Sequence, residues 1–264
     1  MAGDLAMTNE LPKNIGRLQS AVMTVMQPVF NVLWDIDVYG ANNLPDEGPA
    51  ILCANHTSVM DSFFVPVTLP RRITYVGKAE YMDDWKTRWL FPQLGMIPID
   101  RSGGDAAQAA LDKAAEILRS GEFFGIYPEG TRSRDGRLHK GHTGPARLAL
   151  ETGAPIIPVG LKGIRKIQPP DVGRPKLFES AEVFFGEPVR PDRYPDTGDQ
   201  RLRLRQMIDE VMFEIRKFTG QEYVNEYANK KKAEQPVRVD VGVEIEPVPA
   251  RSSADVLQPV ALDF

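Results

Sequence analysis

The 264-residue sequence predicts an α/β domain: a mixed, largely parallel sheet flanked by helices, with an amphipathic helical segment ahead of it. Three observations lead there. Short apolar runs alternate with segments of helical period, as in a parallel sheet with crossover helices. The 42% hydrophobic content is enough for one sizeable core at this length. Three of the predicted strands end in polar groups, which is where open α/β sheets place their ligands.

In chain order, residues 1–14 read as a flexible arm. Residues 15–35 carry apolar side chains at Leu18, Val22, Val25, Met26, Val29, Phe30, Leu33 and Trp34, one face of a helix. That face can pack on the core. It can also lie in a membrane interface with Trp34 at headgroup level, and the segment is expected to associate with the membrane through this face, helped by the aromatics between Tyr81 and Phe91. Pro28 either kinks this helix or starts a second one.

Ile36–Tyr39 reads as a strand and Pro49–Cys53 as a buried one. Asp61–Thr68 follows as a short helix, then a strand over Arg72–Val76. Ala79–Leu94 suggests helical segments rich in aromatics, with Tyr81, Trp85, Trp89 and Phe91. Met96–Asp100 is a strand, Ala106–Arg119 a helix stopped by Gly121, and Phe123–Ile126 a strand. Gly144–Glu151 is a helix, Pro155–Leu161 and Ala181–Phe185 are strands, and Arg201–Phe218 is a long helix. The domain is expected to span 36–223. Residues 224–264 read as a polar, poorly ordered tail, within which Val239–Ile245 alternates as a strand can.

Composition narrows the function. A net charge of −4 argues against bulk nucleic-acid binding. The single cysteine, Cys53, cannot form an internal disulfide, and its strand position suits packing. The N-terminus lacks the pattern of a secretory signal, and no apolar run is long enough to span a bilayer. The three histidines and one cysteine do not have the spacing of a metal site, so no metal is expected. Nucleophile-elbow, Walker and dinucleotide-binding patterns are absent.

Chemistry concentrates at the three strand ends: His56 with Asp61, Asp100 with Arg101, and Glu129 with Arg132. His56 follows a strand and Asp61 opens a helix, where free N–H groups favour a carboxylate. Asp61 can then hold one imidazole nitrogen and leave the other free as a base. Taken alone, the pair reads more readily as a helix cap beside a polar loop residue, since short motifs recur by chance. Glu129-Gly130-Thr131-Arg132 suits an anion, because Gly130 lets the backbone approach and Arg132 offers a planar fork. Arg134, Arg137, Lys140 and Arg147 add positive potential nearby. Taken alone, that is a solvated basic loop.

Together these stretches resemble the motifs of the glycerolipid acyltransferases. Asn55-His56-Thr57-Ser58-Val59-Met60-Asp61 resembles the family's Asn-His-x-Ser-x-x-Asp. Gly95 to Arg101 resembles its second motif. Tyr127-Pro128-Glu129-Gly130-Thr131-Arg132-Ser133 resembles Phe-Pro-Glu-Gly-Thr-Arg-Ser, with Tyr127 for Phe. Ile157-Pro158-Val159 resembles the fourth. All four come in the family's order, and the bacterial 1-acylglycerol-3-phosphate acyltransferases are the nearest in pattern.

The resemblance implies acyl transfer from acyl-CoA or acyl carrier protein to lysophosphatidic acid, giving phosphatidic acid, with no further cofactor. His56 and Asp61 would be catalytic. Arg101, Glu129, Gly130, Thr131 and Arg132 would bind substrate, and Asn55, Ser58 and Pro158 would shape the site or the acyl channel. The expected setting is peripheral, at the cytoplasmic face of the cell membrane. The alternatives are another phosphoglycerol acceptor such as glycerol 3-phosphate, a non-catalytic lipid-binding module, and a hydrolase using the same dyad on water.

Overall fold

The computed structural model describes residues 25–78, 95–99, 106–196 and 198–228. Arg101, the expected 1–14 arm, residues 15–24 of the expected amphipathic segment, the stretch Ala79–Leu94 and the expected tail from residue 229 lie outside these. A helix (α1) covers residues 25–33. It leads into strands β1 (Asp35–Tyr39) and β2 (Ala50–Ala54), then helix α2 (Asp61–Thr68) and strands β3 (Ile73–Lys78) and β4 (Met96–Ile99). Next come α3 (Ala106–Arg119), β5 (Phe123–Ile126), the two-residue β6 (Leu138–His139), α4 (Gly144–Thr152) and β7 (Ile156–Lys162). The short α5 (Ile164–Ile167), β8 (Ser180–Phe185), α6 (Gln200–Thr219) and β9 (Tyr223–Val224) complete the described chain.

Seven strands form the main sheet in the order β1-β8-β7-β2-β5-β3-β4. All neighbours are parallel except β7 and β8. The mixed, largely parallel sheet is therefore as the sequence predicts. β6 and β9 pair separately, an element absent from the sequence reading. Their bonds are few, and two-residue strands leave no period to detect.

β2 lies at the centre, and all five of its residues are buried. Helices cover both faces, so alternation gives way to a continuous apolar run. Leu52 and Ala54 join Phe30, Trp34, Phe64 and Ile164 on one side. Ile51 and Cys53 join Ala115, Leu118, Leu148, Ile208 and Met212 of α3, α4 and α6 on the other. α6 starts at Asp199, whose side chain accepts from Leu202 N at 3.0 Å, and stops at Gly220, which is left-handed at φ 66°. Both ends fit the ordinary capping rules.

The N-terminal face divides in two. Phe30 and Trp34 are 4% and 5% exposed and pack with Phe64, with ring centroids 4.9 to 5.6 Å apart. The Trp34 indole donates to the Lys176 carbonyl at 2.7 Å. Trp34 is thus a core residue with a satisfied N–H rather than a headgroup anchor. Leu33 also packs inward, whereas Val25, Val29 and Val32 face out. Trp34→Ala should lower stability by ~3–5 kcal/mol, while Val32→Ser should stay within ~0.5 kcal/mol of the parent. Urea unfolding checks both, and equal losses would contradict this division of the helix.

Candidate active site

The C-terminal end of β2 delivers Asn55 and His56. Asn55 is fully buried and extends the ladder to β7 with its side chain. Its Oδ1 accepts from Leu161 N at 2.8 Å, and its Nδ2 donates to Leu161 O and to Gln221 Oε1, each at 3.0 Å. The chain direction entering His56 is fixed by these bonds. Asn55 shapes the site from behind.

Asp61 is fully buried at the first position of α2. One of its oxygens, Oδ2, receives three bonds: Thr57 N at 2.7 Å, Ser58 N at 2.8 Å and His56 Nδ1 at 2.9 Å. An ionised carboxylate only accepts, so the shared proton belongs to Nδ1. Nε2 then carries the lone pair. Nε2 has no hydrogen-bond partner among the described residues, and the side chain is 16% exposed. Ser58 Oγ accepts from Met60 N at 3.0 Å and is fully buried, which makes it a brace at the start of α2 rather than a nucleophile.

Behind the imidazole lies Tyr127, stacked at 3.8 Å between centroids and 11° between planes. Its hydroxyl bonds Ser62 Oγ at 3.0 Å. Tyr75 stacks in turn at 5.9 Å and covers Gly125, where a Cβ would come within 2.1 Å of the Tyr75 ring. Burial, then the nearby Tyr75 and Asp61, push the Tyr127 hydroxyl well above its ordinary pKa, so it stays neutral. The sequence shows Tyr127 only as a departure from Phe. A stacking ring cannot be inferred from one substitution.

The Glu129–Ser133 loop closes around the peptide of His56. Glu129 Oε1 accepts from His56 N at 3.0 Å, and Ser133 N donates to His56 O at 2.6 Å. Glu129 Oε2 accepts from His139 N at 3.0 Å. Both oxygens are occupied and the residue is 1% exposed, so Glu129 positions the loop instead of presenting itself to a ligand. That differs from its expected place among the substrate contacts. A buried carboxylate needs partners for its charge, and backbone N–H groups supply them here. Gly130 is left-handed at φ 73°, which allows the tight turn after Tyr127.

Thr131 and Arg132 are half-buried beside this turn. Arg132 has no carboxylate partner among the described residues. Three of the other four cations expected to strengthen the patch are engaged elsewhere. Arg134 pairs with Asp171, and Arg137 with Asp135. Lys140 lies over the Tyr227 ring, and Arg147 borders a groove between α3, α4 and α6 with Gln108 and Gln200. Asp135 is partly buried, which raises its pKa, but bonds from Arg137, His139 and Ser133 outweigh this and hold it well below the carboxylate range. Pro158 is buried in β7 opposite Cys53, and its carbonyl accepts from Gly186 N at 2.8 Å. There it supports the sheet. Gln221, Ser133 and Thr57 were not singled out from sequence. Ser133 and Thr57 lie inside the motifs, but Gln221 follows a helix cap and gives no local signal.

Burial raises Glu129 to about 7, against the lowering effect of its two backbone bonds. Its folded pKa lies above the ordinary 4.5, so its contribution to stability is full below about 4.5 and is lost as pH rises through about 7. Glu129→Gln cannot titrate. The stability difference between parent and variant should therefore move in favour of the variant across that window, read by urea unfolding at a series of pH values. A difference that stays constant with pH would contradict a buried, titrating Glu129.

Known proteins resemble the chain in sequence and in fold. Residues 35–162 match the Acyltransferase family model. The chain is 30% identical over 134 residues to the chloroplastic 1-acyl-sn-glycerol-3-phosphate acyltransferase BAT2 of Brassica napus, covering 50% of this chain and 39% of that one. It is 32% identical over 126 residues to a 1-acyl-sn-glycerol-3-phosphate acyltransferase of Borreliella burgdorferi, covering 48% and 50%. The chain thus spans no more than half the length of these relatives. Its fold is similar to the crystal structure of the 1-acyl-sn-glycerophosphate acyltransferase PlsC from Thermotoga maritima. The TM-score is 0.62 and the identity 23%, over 80% of this chain and 83% of that one. Over residues 35–162, the chain is similar to the acyltransferase family.

Proposed function

We propose that the chain is an O-acyltransferase that moves an acyl group from a thioester, on CoA or acyl carrier protein, to the sn-2 hydroxyl of 1-acylglycerol 3-phosphate, forming phosphatidic acid. The observation that carries this reading is the His56–Asp61 contact, with the Arg132 loop bonded to His56's own peptide. Base and anion site are thereby held in fixed relation. The names of the relatives support the choice of acceptor.

His56 Nε2 takes the hydroxyl proton as the oxygen attacks the thioester carbon. The carbon–sulfur bond breaks, and the imidazolium returns the proton to the departing thiolate. Asp61 holds the ring and stabilises its charged form. Because the thioester is already activated, no covalent enzyme intermediate is required. Arg132 and the Gly130–Thr131 turn hold the acceptor phosphate. Among the described residues, no helix is long and apolar enough to cross a membrane. The enzyme acts peripherally, at the cytoplasmic face.

His56→Ala should lower kcat by about 10²–10⁴-fold with acceptor binding retained. Arg132→Ala should raise the acceptor KM by about one to two decades, the effect of losing a charge-assisted hydrogen bond of ~1.5–3 kcal/mol. Arg132→Lys should restore this only in part, since an ammonium lacks the forked contact. Steady-state kinetics with labelled acyl-CoA separate the two effects. If Arg132→Ala changes the donor KM and leaves the acceptor KM alone, the loop serves the donor's phosphates instead.

A further inference from the structure

The connection from α5 to β8 is apolar where it is most exposed. Phe178 is 78% exposed, and Leu177 and Val172 are each 47% exposed. Phe178 and Asp171 also have left-handed backbones, at φ 62° and 67°, the two non-glycine residues among those described to do so. For a bulky aromatic this conformation is strained, and burial of its own ring does not offset the cost.

The loop is nonetheless well fastened. Phe178 N donates to Leu33 O at 2.7 Å, and Lys176 N donates to Ile167 O at 2.8 Å. The Trp34 indole holds the Lys176 carbonyl, and Gln168 Nε2 donates to Val172 O at 2.8 Å. The apolar tip is therefore presented by a braced loop.

Its charge is one-sided. Arg165, Lys166, Arg174 and Lys176 lie in or just before it, against Asp171, which is paired with Arg134. Lys166, Arg174 and Lys176 are exposed. Glu179 and Asp35 sit at the base, where Asp35 N donates to Glu179 O. The neighbouring outer face of α1 adds Val25, Val29 and Val32, at 66%, 44% and 73% exposure. Exposed apolar side chains among cations are the signature of a surface that enters an anionic lipid interface.

We propose that the Asp171–Phe178 loop inserts Leu177 and Phe178 into an anionic phospholipid bilayer, with Lys166, Arg174 and Lys176 at the headgroups and Val25, Val29 and Val32 along the same surface. The inference rests on the lysolipid acyl-transfer reading. It adds a route from bilayer to site. Asp171 pairs with Arg134, and Arg165 donates to the carbonyls of Ser133 and Arg134, so the loop is joined to the turn that follows Arg132. A docked loop holds that turn close to the surface from which an acyl-chain-bearing acceptor arrives.

The test uses the full chain with Phe178→Cys, labelled with an environment-sensitive fluorophore. The single native cysteine, Cys53, is buried and its thiol is pushed up by burial, so the label goes to position 178. Vesicles of phosphatidylcholine mixed with phosphatidylglycerol should shift the emission to the blue, and phosphatidylcholine alone should shift it far less. An unshifted spectrum on anionic vesicles, or an equal shift on neutral ones, overturns the proposal. Independently, the unlabelled double variant Leu177→Ser, Phe178→Ser should co-sediment with the anionic vesicles about tenfold more weakly. Its turnover of a short-chain, monomeric lysophosphatidate should be unchanged. Undiminished sedimentation sinks the loop proposal and leaves acyl transfer standing. Absent turnover of that acceptor by the parent protein sinks the acyl-transfer reading, whatever the vesicles show.

Discussion

The site depends on one oxygen atom. Asp61 Oδ2 gathers the N–H groups of Thr57 and Ser58 and the His56 imidazole within 2.9 Å. A single carboxylate thereby shapes the loop between β2 and α2 and aims the ring. Burial makes the arrangement demanding, because a buried charge without donors is expensive. It also makes it specific. The backbone donors hold the carboxylate in place, and the carboxylate determines which imidazole nitrogen is free.

A second carboxylate works on the opposite side of the same residue. Glu129 bonds the His56 N–H, and Ser133 N bonds the His56 carbonyl, so the peptide is gripped on both of its polar groups. The stacked Tyr127 fixes the ring plane. Orientation in three respects — chain direction, tautomer and ring plane — thus comes from Asn55's bonds to Leu161 in β7, Asp61 of α2 and Tyr127 after β5. Charge for an anionic ligand is handled separately. Most nearby cations are engaged by acids or aromatic rings, and Arg132 stands apart among the described residues.

Much of this was legible in the sequence, for physical reasons. Continuous apolar runs gave the central strands, and helical period gave α3 and α6 to within about one residue, inside the usual boundary error. His56 and Asp61 were visible because a strand end and a helix start need polar groups for their own sake. Roles set by long-range packing were not visible. Glu129 looked like a ligand contact because its use by two backbone N–H groups depends on where His56 and His139 arrive in space. Trp34 was expected on a membrane-facing side but lies in the core, since periodicity marks a face without saying what covers it. Asn55 and Gln221 meet across 166 residues, a separation no local pattern records.

The central claim is that Asp61 holds neutral His56 as its Nδ1–H tautomer and so leaves Nε2 as the base. Nitrogen-15 NMR of the histidine-labelled protein tests it directly, since the chain has only three histidines and His56→Ala assigns the signal. At a pH where the imidazole is neutral, the account predicts a protonated Nδ1 and a bare Nε2, with that preference lost in Asp61→Asn. A protonated Nε2 in the parent protein, or a tautomer indifferent to Asp61→Asn, would contradict it.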